Sequence, residues 1–152
     1  TRYLAVIPYQ EDPESLQEDA ELILMRIGTD DEGEYMDIVD DDEELITVGK
    51  VFEERRNYLV ERMNQIDGVS CLKPDGAFYV MMNLEKLIGR TLGGRVIHNA
   101  DDFAMAFLEK GLVAVVSCCA FDAPNFVRWT YATSLETIKE GLDRLEKFLK
   151  EG

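Results

Sequence analysis

The sequence predicts an α+β fold in which helices pack on a small sheet, preceded by an antiparallel β-meander and a long helix. One observation is the strand-like alternation of residues 126–132, in which one face holds Phe126, Arg128 and Thr130. The other face holds Val127, Trp129 and Tyr131. A second is the helical spacing of apolar residues behind a capping signal near the C-terminus. A third is the charge, which divides the chain into an acidic first part and a nearly neutral remainder.

Three short apolar runs predict the strands of the meander. They cover Arg2–Tyr9, Glu21–Ile27 and Glu34–Val39, and the last alternates polar with apolar side chains. Between the second and third runs, residues 29–33 contain three acidic residues followed by a glycine, which is a turn signal.

A long helix is predicted from about residue 43 to residue 66. Asp40, Asp41 or Asp42 can cap it, and acidic residues in its first turn suit the helix dipole. Gly68 ends it. Its apolar residues recur at mixed spacings of three and four: Leu45, Val48, Phe52, Leu59, Met63 and Ile66.

The remaining residues complete the order helix, strand, strand, helix, strand, strand, helix. Asn99 can cap one helix, and Thr133 with Glu136 forms a capping box for the last. Residues 112–116 lack polar alternation, so we expect a fully buried strand there. The predicted elements are strands at 69–72, 77–82, 112–116 and 126–132, helices at 84–90, 101–110 and after Thr133, and a mobile loop at 89–94.

The C-terminal helix has a clear amphipathic pattern. Its core face holds Leu135, Ile138, Leu142, Leu145 and Phe148. Its other face predicts ion pairs at a spacing of four between Glu140 and Arg144, Asp143 and Lys147, and Glu146 and Lys150.

Charge suggests two domains, an acidic one at residues 1–49 and a second at 50–152, joined through the helix at about 43–66. The first holds 16 acidic and two basic residues, whereas the second holds 15 acidic and 14 basic ones. A net charge of −15 repels phosphate backbones and anionic lipid, so we expect neither nucleic acid nor membrane as a partner.

The three cysteines, Cys71, Cys118 and Cys119, have no C-x-x-C spacing, and His98 is the lone histidine. This pattern predicts neither a disulfide framework nor a metal site. The adjacent pair could form a strained vicinal disulfide, but two buried free thiols are favoured. The sequence contains no apolar run long enough to span a membrane and no signal-peptide pattern, so a cytoplasmic location is expected.

Arg128 is the candidate site residue, because it lies inside an aromatic strand. A guanidinium buried there without an anion or several acceptors would cost several kcal/mol. Arg128 begins the last of four informative stretches. They are Phe52-Glu53-Glu54-Arg55-Arg56, Pro74-Asp75-Gly76-Ala77-Phe78-Tyr79, Val113-Ala114-Val115-Val116 and Arg128-Trp129-Thr130-Tyr131-Ala132-Thr133-Ser134. Across residues 52–152 they resemble the small C-terminal domain of class I, aspartate-type, pyridoxal phosphate-dependent aminotransferases.

This resemblance implies an aminotransferase small-domain-like sandwich of helices on a small sheet. It also implies that Arg128, in its R-x-[ST]-[YF]-A-x-S setting, binds the substrate α-carboxylate through a planar fork. One departure is the loop Ser117–Asp122, which lacks the glycines usual in the family and adds a negative charge at Asp122 near that carboxylate.

The resemblance implies no catalytic, cofactor-binding or metal-binding residue in these 152 residues. The family's Schiff-base lysine lies in an S-x-[ST]-K motif of a large domain, which the sequence does not contain. None of the seven lysines has that context. Pyridoxal phosphate is therefore expected in the parent enzymes and not here.

The acidic first part resembles another family, the small uncharacterised YrzB-like proteins of bacteria. The matching stretches are Tyr3-Leu4-Ala5-Val6-Ile7-Pro8, residues 20–26, Ile38-Val39-Asp40-Asp41-Asp42-Glu43-Glu44 and Val51-Phe52-Glu53-Glu54. This resemblance covers residues 1–54 and implies a partial domain of strands followed by an acidic linker and a helix.

Together these observations predict an aminotransferase (transaminase) small domain that supplies Arg128 and is not catalytic alone. The alternatives are an acidic protein-interaction module and a truncated or fused remnant without an enzymatic role. The expected partner is a second copy of the chain or a separate chain carrying the large domain.

Overall fold

In the computed structural model the described residues are 2–6, 23–30, 33–38 and 42–151, with side chains from residue 47 onward. They divide into two compact units, Thr1–Lys50 and Val51–Gly152. In the described part of the chain, no helix is long and apolar enough to cross a membrane.

The first unit contains a three-stranded antiparallel sheet. Strand β1 (Arg2–Val6) pairs with β2 (Ile23–Asp30), and β2 pairs with β3 (Gly33–Ile38). Strand β2 runs through Thr29 and Asp30 into the segment predicted as a turn. The predicted strand ends at residues 7–9, 21–22 and 39 lie outside the described residues.

Helix α1 spans Asp42–Met63 and corresponds to the predicted long helix. It ends three residues earlier than residue 66, and turn-like hydrogen bonds from Gln65 N to Arg62 O and from Ile66 N to Met63 O follow it. Gly68 then adopts a φ of 95°, which suits a glycine and closes the helix end. The candidate caps at residues 40 and 41 lie outside the described residues.

The second unit surrounds a small antiparallel sheet with the strand order β4-β5-β9-β8. Its core consists of apolar residues from the sheet and from helices on one side of it. The elements in chain order are β4 (Ser70–Cys71), β5 (Tyr79–Asn83), a 3₁₀ turn (Glu85–Leu87), β6 (Thr91–Leu92), β7 (Arg95–Val96), α2 (Ala100–Ala106), a π turn (Phe107–Gly111), β8 (Val116–Ser117), a second 3₁₀ turn (Cys119–Phe121), β9 (Phe126–Thr130) and α3 (Leu135–Glu151).

The segment between β5 and α2 differs from its prediction. The expected loop at 89–94 contains β6, which pairs with β7 as a short hairpin, and the expected helix at 84–90 is only a 3₁₀ turn. The Asn99 cap is confirmed, since its side chain accepts hydrogen bonds from the backbone N–H groups of Asp101 and Asp102.

The expectation of a fully buried strand at residues 112–116 is wrong. Leu112 is 69% exposed and Val116 is 45% exposed. Only Val116 and Ser117 pair, with Arg128 and Val127 of β9. Strand β8 lies at the edge of the sheet. An apolar segment at this edge can therefore stay partly exposed and need not be buried on both faces.

Helix α3 is capped by Ser134 and not by Thr133. The Ser134 hydroxyl accepts a hydrogen bond from the Thr137 N–H at 3.1 Å, and its carbonyl accepts from the Ile138 N–H. Ser134 therefore holds the position from which a side chain reaches the third helical residue.

Two of the three expected ion pairs on α3 are present, at 2.6 Å for Glu140 with Arg144 and 2.7 Å for Glu146 with Lys150. The third is replaced, because Asp143 lies 3.5 Å from Arg62 of α1. The apolar face is buried as predicted at Ile138, Leu142, Leu145 and Phe148, whereas Leu135 is only partly buried.

The central strand β9 separates a covered face from an open one. Val127 and Trp129 are buried with Val80 and Met82 of β5 in the apolar core. Phe126 and Arg128 alternate with them and remain partly exposed, which confirms the predicted division of the strand. The open face therefore carries the candidate site.

Candidate functional site

Arg128 occupies the middle of the open face of the sheet. The register places it between Met81 of β5 and Val116 of β8. Side chains on one face of a sheet alternate along each strand, so Tyr79 and Phe126 also belong to this face. Arg128 is thus presented at the centre of the sheet, although it is only partly buried.

The contacts of the Arg128 guanidinium are aromatic. Its Cζ lies 4.8 Å from the centroid of the Tyr79 ring and 6.0 Å from that of Phe121. Among the residues that the structure describes, none forms a hydrogen bond or ion pair with it. A guanidinium offers five N–H donors, so no pair with a described residue has to break before Arg128 accepts an anion.

Tyr79 is positioned by a dense set of hydrogen bonds at the start of β5. The Tyr131 hydroxyl donates to the Ala77 carbonyl at 2.5 Å, and the Tyr131 N–H donates to the Phe78 carbonyl at 2.8 Å. Ala77 has a φ of 67°, a left-handed conformation that is uncommon for a residue with a Cβ. This fixed geometry directs the chain into β5 at the residue whose ring contacts Arg128.

Phe121 is positioned by the turn that follows β8. Backbone N–H groups of Phe121 and Ala123 donate to the Cys118 carbonyl at 3.0 and 3.1 Å. Asp122 has a φ of 57° and closes the turn through a bond from its N–H to the Cys119 carbonyl. The Phe121 ring nevertheless remains 64% exposed.

The loop that lacks the expected glycines is folded and contains free thiols. Cys118 is buried with its Sγ 3.7 Å from Met81 Sδ, and Cys119 is partly exposed, so only one of the pair is a fully buried thiol. Burial raises the pKa of Cys118, and the positive charge of Arg128 opposes this. Among the described contacts, Asp122 forms no ion pair with Arg128.

A groove of about 520 Å³ lies on the same unit, beside β4 and β5. Tyr79, Met81 and Phe126, which share the open face with Arg128, form part of its wall. The wall is mainly apolar, as is usual for small-molecule sites.

The lysines of the chain do not fit the cofactor that the resemblance associates with the parent enzymes. A lysine that forms a Schiff base is activated by desolvation or by a neighbouring cation. All seven lysines are exposed: Lys50, Lys73, Lys86, Lys110, Lys139, Lys147 and Lys150. Within residues 47–151, no group of three or more His, Cys, Asp or Glu side chains could hold a metal ion.

The family model for aminotransferase class I and II matches residues 35–145, and the chain belongs to this family. A second model, described as a protein of unknown function (DUF1292), matches residues 1–57. Both expected resemblances are therefore confirmed.

The curated relatives support the first match. The chain is 45% identical over 101 residues to a probable aspartate/prephenate aminotransferase of Rhizobium leguminosarum bv. phaseoli, covering 65% of this chain and 25% of that protein. It is 37% identical over 101 residues to an aspartate aminotransferase of Geobacillus stearothermophilus, covering 66% and 25%. The chain thus spans about a quarter of the length of these relatives.

A solved structure gives the same result for the fold. The aspartate aminotransferase of Rhizobium meliloti superposes with a TM-score of 0.70 at 34% identity, covering 74% of this chain and 28% of that one. The alanine aminotransferase of Pyrococcus furiosus gives 0.65 at 30% identity, covering 75% and 28%. The fold is therefore aminotransferase-like, with mixed helices and a small antiparallel sheet.

The sequence singled out Arg128 but not the two rings beside it. Tyr79 lies in the stretch 74–79 and Phe121 in the loop Ser117–Asp122, but no local pattern in the sequence assigns either ring to the site. The available signal was the strand register: β5 and β9 had to be neighbours for Tyr79 to reach Arg128.

Proposed function

We propose that residues 50–152 act as the small domain of an aspartate-type aminotransferase, in which Arg128 binds the α-carboxylate of the amino-acid substrate. The observation that carries this proposal is the Arg128 guanidinium itself, which contacts two aromatic rings and no acceptor among the described residues. A planar fork of donors matches a carboxylate in two parallel hydrogen bonds, which a lysine does not reproduce.

Transamination by this assembly requires a large domain in addition to these residues. Pyridoxal phosphate supplies the electron sink of the reaction, and it needs a lysine in a desolvated site. The seven exposed lysines of this chain do not provide one. The large domain is supplied by a separate chain or by the same protein beyond these 152 residues.

Residues 1–49 form a separate acidic domain in this proposal. They carry 16 acidic and two basic side chains, a balance that favours docking on a basic protein surface. This charge is the observation that supports the second candidate function, an interaction module that recruits a partner to the small domain.

The role of Arg128 is testable with the full chain alone. Succinate titrated against protein labelled with ¹⁵N should shift the Arg128 Nε–Hε resonance in a saturable manner. Hydrogen bonds to charged groups contribute about 1.5–3 kcal/mol, so Arg128→Lys and Arg128→Gln should weaken binding by about tenfold or more. Succinamide, which lacks the carboxylates, should not bind.

Arg144→Gln is the matched control, because Arg144 is also a partly exposed arginine but already pairs with Glu140 and the Leu112 carbonyl. Its affinity for succinate should equal that of the wild type. Equal affinities of the wild type and Arg128→Gln would refute the proposal.

A further inference from the structure

The two rings beside Arg128 come from opposite sides of its strand. In the sheet order, β9 lies between β5, which carries Tyr79, and β8, whose following turn carries Phe121. The ring centroids lie 4.8 and 6.0 Å from the guanidinium carbon. Arg128 is therefore flanked by an aromatic ring toward each neighbouring strand.

The exposure of Phe121 indicates that its ring does not serve the apolar core. It lies outside the buried cluster of the second unit and is 64% exposed. The hydrogen-bonded turn around Cys118 nevertheless keeps it within range of Arg128. Attraction between a cation and an aromatic face is the interaction that this placement favours.

Aromatic neighbours leave the donors of a guanidinium available. A carboxylate neighbour would occupy N–H groups, whereas a ring attracts the cation through its π face. The rings also restrict the long, flexible arginine side chain before a ligand arrives, so less conformational entropy is lost when it binds.

We propose that Tyr79 and Phe121 are positioning residues that hold the Arg128 guanidinium in place to receive a planar carboxylate. This inference rests on the proposed role of Arg128 as the α-carboxylate anchor. The rings act through Arg128 and form no bond to the ligand themselves.

The test uses the full chain, succinate as the probe and paired variants at each ring. Tyr79→Phe and Phe121→Tyr keep the rings, whereas Tyr79→Leu and Phe121→Leu remove them. Each leucine variant should weaken succinate binding about two- to fivefold, as expected for exposed cation–π contacts, while the ring-preserving variants bind like the wild type. Circular dichroism at matched temperature verifies the fold of every variant.

A second readout separates positioning from a structural role. ¹⁵N relaxation of the Arg128 Nε–Hε group, without ligand, should show larger motion on the picosecond to nanosecond scale in both leucine variants. Phe121 lies in an exposed turn, so Phe121→Leu is expected to fold even where Tyr79→Leu does not.

The outcomes distinguish the two proposals. Loss of affinity and of Nε–Hε order in the leucine variants, with recovery in the ring-preserving ones, supports the positioning role. Unchanged affinity and order in the leucine variants, with loss only in Arg128→Gln, overturns the positioning role and leaves the Arg128 anchor intact. Wild-type affinity in Arg128→Gln overturns both.

Discussion

The Arg62 guanidinium of α1 forms an ion pair with the Glu146 carboxylate of α3, joining residues 84 positions apart in the sequence. Glu146 also accepts a hydrogen bond from Lys150 at 2.7 Å. Lys150, followed by Arg62, lowers the pKa of Glu146 from its ordinary value of 4.5 to about 2. The cluster thus connects the first and last helices of the second unit.

This cluster predicts a pH-dependent contribution to stability. The pKa of Glu146 in the folded chain lies below its unfolded value, so the contribution is complete above about pH 4.5 and is lost as the pH falls toward 2. We expect Glu146→Gln to lower the free energy of unfolding at pH 7 and to match the wild type near pH 2. Urea unfolding across this range measures it.

The matched control is Glu140→Gln, since Glu140 pairs with Arg144 within the same helix. Its effect should be smaller, because exposed pairs at this spacing contribute little. A deficit in Glu146→Gln that stays constant from pH 7 to pH 2 would contradict the assignment.

Gly68 and Gly89 offer a comparison of crowding at similar backbone geometry. Their φ angles are 95° and 84°. A Cβ at Gly68 would lie 2.9 Å from Cδ2 of the fully buried Leu87, whereas nothing lies within 4 Å of one at Gly89. Both alanine variants should lose about 1–2 kcal/mol to backbone strain. Gly68→Ala should lose about 1–3 kcal/mol more to overpacking, which urea unfolding measures; equal losses would refute this.

The sequence predicted those elements whose local pattern and tertiary surroundings agree. Alternation along β9 and the apolar stripe of α3 each have one covered face, so their periodicity indicates burial directly. The prediction of a fully buried strand at residues 112–116 was wrong, because an apolar segment has the same sequence pattern at an exposed sheet edge as in a buried strand. The capping box at Thr133 failed because Ser134 carries the same chemistry one residue later.

The sequence predicts Arg128 as the centre of the candidate site but does not predict the two aromatic rings beside it. Arg128 is identifiable because a cation in an aromatic strand requires an explanation. Tyr79 lies 49 positions before it, and only the pairing of β5 with β9 brings the two together. The position of the Phe121 ring is set by a turn that lacks the expected glycines. The backbone geometry of that turn cannot be predicted from a periodic sequence pattern.

The lysine context predicts that this chain forms no specific covalent adduct with pyridoxal phosphate. All seven lysines are exposed, so none has the desolvated setting in which a lysine forms a Schiff base. Incubation with the cofactor, borohydride reduction and peptide mapping should give at most scattered, substoichiometric labelling. A single lysine labelled at a one-to-one ratio would overturn this expectation.

Self-association is expected, because the second unit exposes large apolar side chains. Leu72 is 89% exposed, and Phe121 and Val116 are also open to solvent. A net charge of −15 opposes dimer formation at low ionic strength, so added salt should favour it. Light scattering at 20 mM and 500 mM salt would show a rising mass; a monomer at high micromolar concentration in both would contradict it.

The most direct test places residues 50–152 in a complete aminotransferase. Residues 50–152 would replace the matching segment of the aspartate aminotransferase of Geobacillus stearothermophilus. The account predicts a chimera that transaminates aspartate, with kcat/KM about ten- to a hundredfold lower in Arg128→Gln and unchanged in Arg144→Gln. An active chimera whose kcat/KM is the same with Arg128→Gln would contradict it.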